Sequence, residues 1–450
     1  MIKVYIPDNN INERIYIVNV LIGEFLGLDY EIIKSNKISW EIEIENGSKL
    51  IIQDYFFNKY KNDLEYLKLE NIPLSISYGQ KNNNQFLPED NIPIIFGEDK
   101  ILFNNSKEKT IICGIDIFAS SFFMLTRWEE YVNNERDKHK RFPASESLAF
   151  KYNFLNRPVV NEYVEMLWNM LNFLGTNQKR NKDEYKIILT HDVDIAYRYS
   201  SIKSGLGSIV SDIIKRKNIG LFYNNFKNKI KVHLKIEKDP FDTYDYLMDV
   251  SNKYSAKSYF FLHSSTASKY DSDNYKYLVK IAKKIKENGH FIGYHPSYNA
   301  YNNLALFKKE KKKIEDIIGE NLVFGRQHFL RFEVPTTWQI WEDANMEWDS
   351  TLSYADKEGF RCGCCYPYSV FNFLTRKKLQ LKERPLIVME GSIVNYQPEI
   401  DPDTMEKKIC SLKEKVKKYN GEFILLWHNS SFNSETWTPY EKVYENIIKY

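Results

Sequence analysis

Eight histidines occur in the 450 residues, and five of them (His191, His263, His295, His328 and His428) fall at the ends of short apolar runs. Charged residues keep the same company. Asp192 and Asp194 follow the run Lys186–Leu189, Arg326 precedes His328 by two residues, and Glu390 follows the run Leu386–Met389. Imidazoles and carboxylates together can hold a divalent cation or move protons near neutral pH. One histidine in such a place is an ordinary structural or surface residue. The joint pattern is what singles these out.

Something must bring these residues to one place. From Tyr185 the chain reads strand, turn, helix. Further apolar runs lie at Ser258–Leu262, Phe291–Tyr294, Leu322–Phe324 and Phe423–Trp427, and helical periodicity covers Tyr275–Glu287 and Leu306–Ile318. That alternation predicts an α/β fold of parallel strands with helical crossovers over residues 185–450. In such folds the chemistry collects beyond the C-terminal strand ends, where the residues above are expected. Residues 1–105 read as a small N-terminal α/β domain, with strand-like runs and one apolar-periodic segment, Ile15–Leu28. Residues 106–180 read as a helical connector, with helical spacing in Ile117–Tyr131 and Val159–Leu174. The polar run Asn177–Glu184 reads as the linker.

Composition narrows the partners and the compartment. The chain is 43% hydrophobic, enough for substantial cores, and Lys+Arg (63) nearly balances Asp+Glu (60), leaving +3. So even a balance argues against a nucleic-acid partner. No run of 18 apolar residues occurs, and MIKVYIPDNN lacks the layout of a signal peptide. Five cysteines are too few, and odd in number, for a disulfide scaffold. These features predict a cytoplasmic, reduced protein, and Arg361–Cys365 reads as a loop of packed thiols. A basic insertion at 198–238 carries ten Lys/Arg against two acids, and leaves the rest of the chain at about −5. Its apolar residues make it a candidate for peripheral contact with an anionic membrane surface or for gripping a pyrophosphate-linked glycan.

Four segments resemble the polysaccharide deacetylase family, carbohydrate esterase family 4. Thr190-His191-Asp192-Val193-Asp194 resembles the strand end T-F-D-D-G in branches whose aspartates are one residue apart. Gly289-His290-Phe291-Ile292-Gly293-Tyr294-His295-Pro296-Ser297-Tyr298-Asn299 is similar to G-H-x-I-G-x-H-[ST]-x-x-H, with Asn299 where the second histidine belongs. Arg326-Gln327-His328 resembles the arginine motif, and Ile424-Leu425-Leu426-Trp427-His428 resembles the last strand. The resemblance covers roughly Tyr185–Tyr450. Residues near 116–130 and 138–148 resemble an accessory region ahead of some bacterial members.

The resemblance implies a distorted (β/α) barrel and a hydrolase that removes an N-acetyl or similar acyl group from a sugar of a surface polysaccharide or its cytoplasmic precursor. It implies Asp192 as base, His428 as acid and Arg326 as the holder of Asp192. Asp194 and His295 would bind a divalent metal, with Zn2+ first in line. For the third ligand, Asn299 and His328 are candidates, His328 being preferred, with His191 and His263 behind. His263, Tyr298, Glu390 and Trp427 are candidate substrate contacts. The partner would be a glycan, free, lipid-linked or nucleotide-linked. Two alternatives stay open: another C–N amide hydrolase on the same scaffold, and a carbohydrate-binding protein without catalysis.

Overall fold

The computed structural model describes residues 1–104, 107–181, 183–199, 227–397 and 399–449. The basic insertion 198–238 therefore lies mostly outside the described residues, and with it the membrane contact expected there. No described helix is long and apolar enough to cross a membrane.

The fold is mixed α/β and is built on two large sheets. The first has six strands, β1 (Ile2–Pro7), β2 (Tyr30–Ser35), β3 (Ser39–Glu43), β4 (Lys49–Gln53), β7 (Gly97–Asn104) and β8 (Thr110–Ile115), in the order β2-β1-β3-β4-β8-β7. A two-stranded ribbon, β5 (Ser77–Gly79) with β6 (Ile92–Ile94), sits beside it. The connector expected from residue 106 starts with β8, which is a strand of this sheet. Leu50 pairs with Ile111 and Ile52 with Cys113, so the sheet continues past the expected boundary. The helix Val159–Leu174 then packs on β4 and β8. Its Val164, Leu167, Leu171 and Leu174 are all buried, as their helical spacing predicts.

The second sheet has nine strands. They are β9 (Lys186–Val193), β10 (Lys257–Leu262), β11 (Phe291–Tyr294), β12 (Phe324–Gly325), β13 (Trp348–Asp349), β14 (Tyr368–Asn372), β15 (Lys377–Glu383), β16 (Val388–Met389) and β17 (Glu422–Leu426). Their order is β14-β15-β13-β12-β11-β10-β9-β17-β16, and every pairing is parallel except the hairpin β14–β15. Its edges, β14 and β16, are not paired with each other among the described residues, so strand pairing does not close the expected barrel into a ring. The helices Tyr275–Glu287 and Leu304–Ile318 cross over between strands as the periodicity predicts. The hairpin is not legible in the sequence, because its outer strand, β14, is short and buried on both faces, and its inner strand, β15, alternates with lysines.

Gly325 shows how tightly β12 seats. A Cβ there would lie 1.8 Å from the Tyr294 carbonyl oxygen, so only glycine fits. The Arg326 amide can then donate to that same oxygen at 3.1 Å, which fixes where the arginine leaves the sheet.

Buried ion pairs tie the two sheets together. Arg361 donates twice to Glu130, which also accepts from Arg127, and Arg127 reaches the Tyr354 hydroxyl. The cluster Cys362, Cys364 and Cys365 beside it is buried, and its thiols are free, as expected.

Candidate functional site

Strand alternation sorts the motif residues. On β9, His191 and Val193 face the flanking helices, while Thr190 and Asp192 face the other way. His191 is fully buried there, its Nδ1 donating to the Trp427 carbonyl (2.7 Å) and its Nε2 accepting from Ser258 (3.0 Å). It contributes to packing and not to the site. Just past β17 the same alternation turns Trp427 into the core, against Phe432, Trp437 and Tyr444, and His428 toward the site. Trp427 is therefore no substrate contact.

Asp192, Asp194, His295, His328 and His428 line one cavity of about 600 Å³. Asp194 is at its centre. Its Oδ1 lies 3.0 Å from His295 Nε2 and 3.5 Å from His328 Nε2, and its Oδ2 lies 3.7 Å from His428 Nε2. His295 Nδ1 contacts the Arg326 carbonyl at 2.6 Å, and a carbonyl only accepts, so Nδ1 carries the proton. His328 Nδ1 contacts Asp271 Oδ1 at 3.2 Å and likewise donates. With both rings neutral, two Nε2 lone pairs and Asp194 Oδ1 converge, and Oδ1 has no hydrogen-bond donor. Only a cation reconciles three such acceptors.

Without a metal, that cation is a proton. Burial works against a charged His328, but the Asp194 carboxylate outweighs it and raises the imidazole to about 9. Burial likewise works against charge on Asp194, and the facing imidazoles win, holding it well below the carboxylate range. A metal fits the same place. Donor atoms around a tetrahedral zinc at 2.0–2.2 Å lie about 3.3 Å apart, and the observed 3.0 and 3.5 Å bracket that value. Asp194, His295 and His328 would be its ligands, and they form one of the two donor clusters among the described residues. Asn299 is not part of it. It is exposed at the start of a short 3-10 turn, and its side-chain oxygen faces Arg331 at 3.5 Å. The loop after His295 turns away too soon for position 299 to come back to the cavity.

Two supported side chains flank this cluster. Asp192 Oδ1 accepts from Arg326 Nη1 at 2.9 Å, and its Oδ2 lies 3.8 Å from His295 Nε2. Arg326 is itself held by Thr190, the Ser350 carbonyl and the Ser350 hydroxyl. On the other side, His428 Nδ1 donates to Glu390 Oε1 at 2.6 Å, and Nε2 points into the cavity. Glu390 is fully buried and also accepts from the Ser431 hydroxyl and the His428 amide. It orients the imidazole and does not meet substrate, which corrects its expected role. Burial lowers His428, but Glu390 overrides this and raises it to about 10.

The two remaining expected contacts also move. His263 is buried behind His328, donating from Nδ1 to the His295 carbonyl at 3.1 Å, and it does not line the cavity. Tyr298 is half-buried at the edge, where its hydroxyl bonds His139 Nδ1 at 3.0 Å and its ring lies under Arg331.

Several wall residues escape sequence reasoning. His139 and Arg141 come from the segment ahead of the second sheet, and Arg141 donates to the Phe329 carbonyl and the Tyr396 hydroxyl across the cavity. The accessory-region resemblance at 138–148 was the only signal for them. Phe329 and Leu330, with φ of 62° and 52°, put two consecutive non-glycine residues in the left-handed region. Each such residue costs about 1–3 kcal/mol, a strain that clusters at functional sites. Phe329 thereby enters the cavity wall.

A family model described as a family of unknown function (DUF7033) matches residues 2–176. No curated protein matches the chain. Among solved structures, the chain is similar to a candidate polysaccharide deacetylase from Mycobacterium smegmatis, at 13% identity and a TM-score of 0.39, over 60% of this chain and 84% of that one. It is similar to a candidate polysaccharide deacetylase involved in O-antigen biosynthesis from Bordetella bronchiseptica, at 14% identity and a TM-score of 0.31, over 58% and 79%. It is also similar to a carbohydrate esterase family 4 pseudoenzyme from Bacillus anthracis, at 13% identity and a TM-score of 0.30, over 59% and 62%.

Proposed function

We propose that this protein is a metal-dependent hydrolase that removes an N-acetyl or related acyl group from a sugar of a surface polysaccharide or of its precursor. The observation that carries the reading is the convergence of Asp194, His295 and His328 on one point, with Asp192–Arg326 on one side and His428–Glu390 on the other. The motif resemblance supplies the sugar.

A bound divalent cation lowers the pKa of a water and polarises an acyl oxygen. The chain's own residues do the rest. Asp192, aimed by its hydrogen bond from Arg326, takes a proton from the attacking water. The water oxygen bonds to the acyl carbon, and the carbon–nitrogen bond breaks as His428 Nε2 hands its proton to the departing amine. The products are a carboxylate and an amino sugar. Glu390 keeps the His428 proton inventory in order by holding Nδ1–H, as the carboxylate does in a hydrolase triad. The departure at position 299 would favour a binding protein without catalysis; His328 supports catalysis by offering the third donor.

The test is metal content by elemental analysis together with acetate release from N-acetylated glycans presented free, lipid-linked and nucleotide-linked. About one equivalent of metal, lost in His295→Ala and retained in Asn299→Ala, with acetate released from one form, is the expected result. Metal-free preparations that remain inactive after supplementation would overturn the reading.

A further inference from the structure

The second donor cluster, His263, Asp271 and His328, shares His328 with the first. His263 and Asp271 sit behind the cavity wall, and their side chains are inaccessible to solvent. This cluster either holds a second ion or serves the first.

His328 decides between them. Its Nε2 faces Asp194 and its Nδ1 faces Asp271. One imidazole can ligate two ions only after losing both ring protons, whereas a carboxylate on Nδ1–H is the usual support for a ring whose other nitrogen binds metal. Asp271 is built for that support. Its Oδ1 also accepts from the Tyr298 amide at 2.9 Å, so the carboxylate cannot swing away. Its loop, after β10, is pinned by Asn274, whose side chain donates to the His263 and Asp194 carbonyls. The anchor for His328 is thus tied to the backbone of the central ligand. The first imidazole has a different anchor, a backbone carbonyl on His295 Nδ1.

We propose that Asp271 is a positioning residue that makes His328 a metal ligand, in place of the histidine absent at position 299, and that the two clusters together take one ion. This rests on the metal-dependent reading above.

The experiment is Zn2+ and Co2+ titration of the full chain against a chromophoric chelator, on wild type, Asp271→Asn and His263→Gln, with visible spectra of the Co2+ forms. Wild type is expected to bind one equivalent. Asp271→Asn is expected to weaken binding by about 10–100-fold and to change the Co2+ bands, with the metal-free melting temperature little altered. His263→Gln is expected to keep one equivalent. Unchanged affinity and spectrum in Asp271→Asn would overturn the inference while leaving the hydrolase standing. So would two equivalents in wild type falling to one in His263→Gln. Wild type that binds neither ion overturns both. Should Asp271→Asn fail to fold, nitrogen-15 histidine spectra of the Zn2+-loaded wild type decide. His328 must be protonated at Nδ1 and metallated at Nε2, and the reverse pattern sinks the idea.

Discussion

Asp192 and Asp194 are two residues apart at the end of one strand, and that spacing puts both on the cavity side while their surroundings give them different work. Asp192 has an arginine on one oxygen, and Asp194 has three imidazoles around it. Asp192→Asn should therefore retain metal and lose about 10²–10⁴-fold in kcat, whereas Asp194→Asn should lose metal as well. Parallel elemental analysis and acetate assays check this, and metal loss in Asp192→Asn would contradict the division. Glu390→Gln should lower kcat by about 10²-fold or more with little change in KM, because Glu390 holds His428 without reaching the substrate. A rise in KM alone would return Glu390 to the substrate contacts.

At the scale of elements, the neighbouring strands β13 and β15 carry buried carboxyls. Asp349 on β13 pairs in register with Glu383 on β15, and both carboxyls are fully buried. Desolvation pushes Asp349 up to about 7, and desolvation with the neighbouring Asp349 raises Glu383 as well. A carboxyl raised in the folded state holds its proton more tightly there than in the unfolded chain. Its contribution is full below the ordinary carboxylate value, about 4, and is lost as pH rises through about 7. The melting temperature should thus fall between pH 5 and 8 in wild type and fall less steeply in Asp349→Asn, which keeps the shape without the proton. Equal slopes in the two proteins would refute the assignment.

For the whole molecule, the two sheets are joined by pairs that cannot be given up singly. Glu130 sits between Arg127 and Arg361, and Arg376 pairs with Glu13 and Asp63. Burial works against the Glu130 charge, yet the two guanidinium groups hold it at about 2. Glu130→Gln leaves two buried arginines short of a counter-charge and should cost about 3–5 kcal/mol in a denaturant titration. Because His139 and Arg141 add further contacts to the second-sheet half, through Arg331, Phe329 and Tyr396, calorimetry should show one unfolding transition. Two separate transitions would mean that the halves stand independently.

The strand ends and the residues that leave them are legible in the amino-acid order. Apolar runs of three to five residues followed by Asp192, His295, Arg326 and His428 are local patterns, and local patterns depend only on the alternation of side chains along one strand. The same alternation, applied one residue further, would have turned Trp427 and His191 away from the cavity. Long helices such as Tyr275–Glu287 were legible for the same reason, since their periodicity repeats over several turns. Two-residue strands such as β12 and β13 carry no period to read. Which imidazole stands beside Asp194 and His295 depends on the return path of the loops, and this separates His328 from Asn299 where their sequence neighbours do not. The same holds for Glu390 serving His428, for Asp271 serving His328, and for His139 and Arg141 reaching the cavity from the loop segment between the two sheets. These contacts span from 38 positions, for His428 with Glu390, to 255, for Arg141 with Tyr396, and no spacing rule reaches across them.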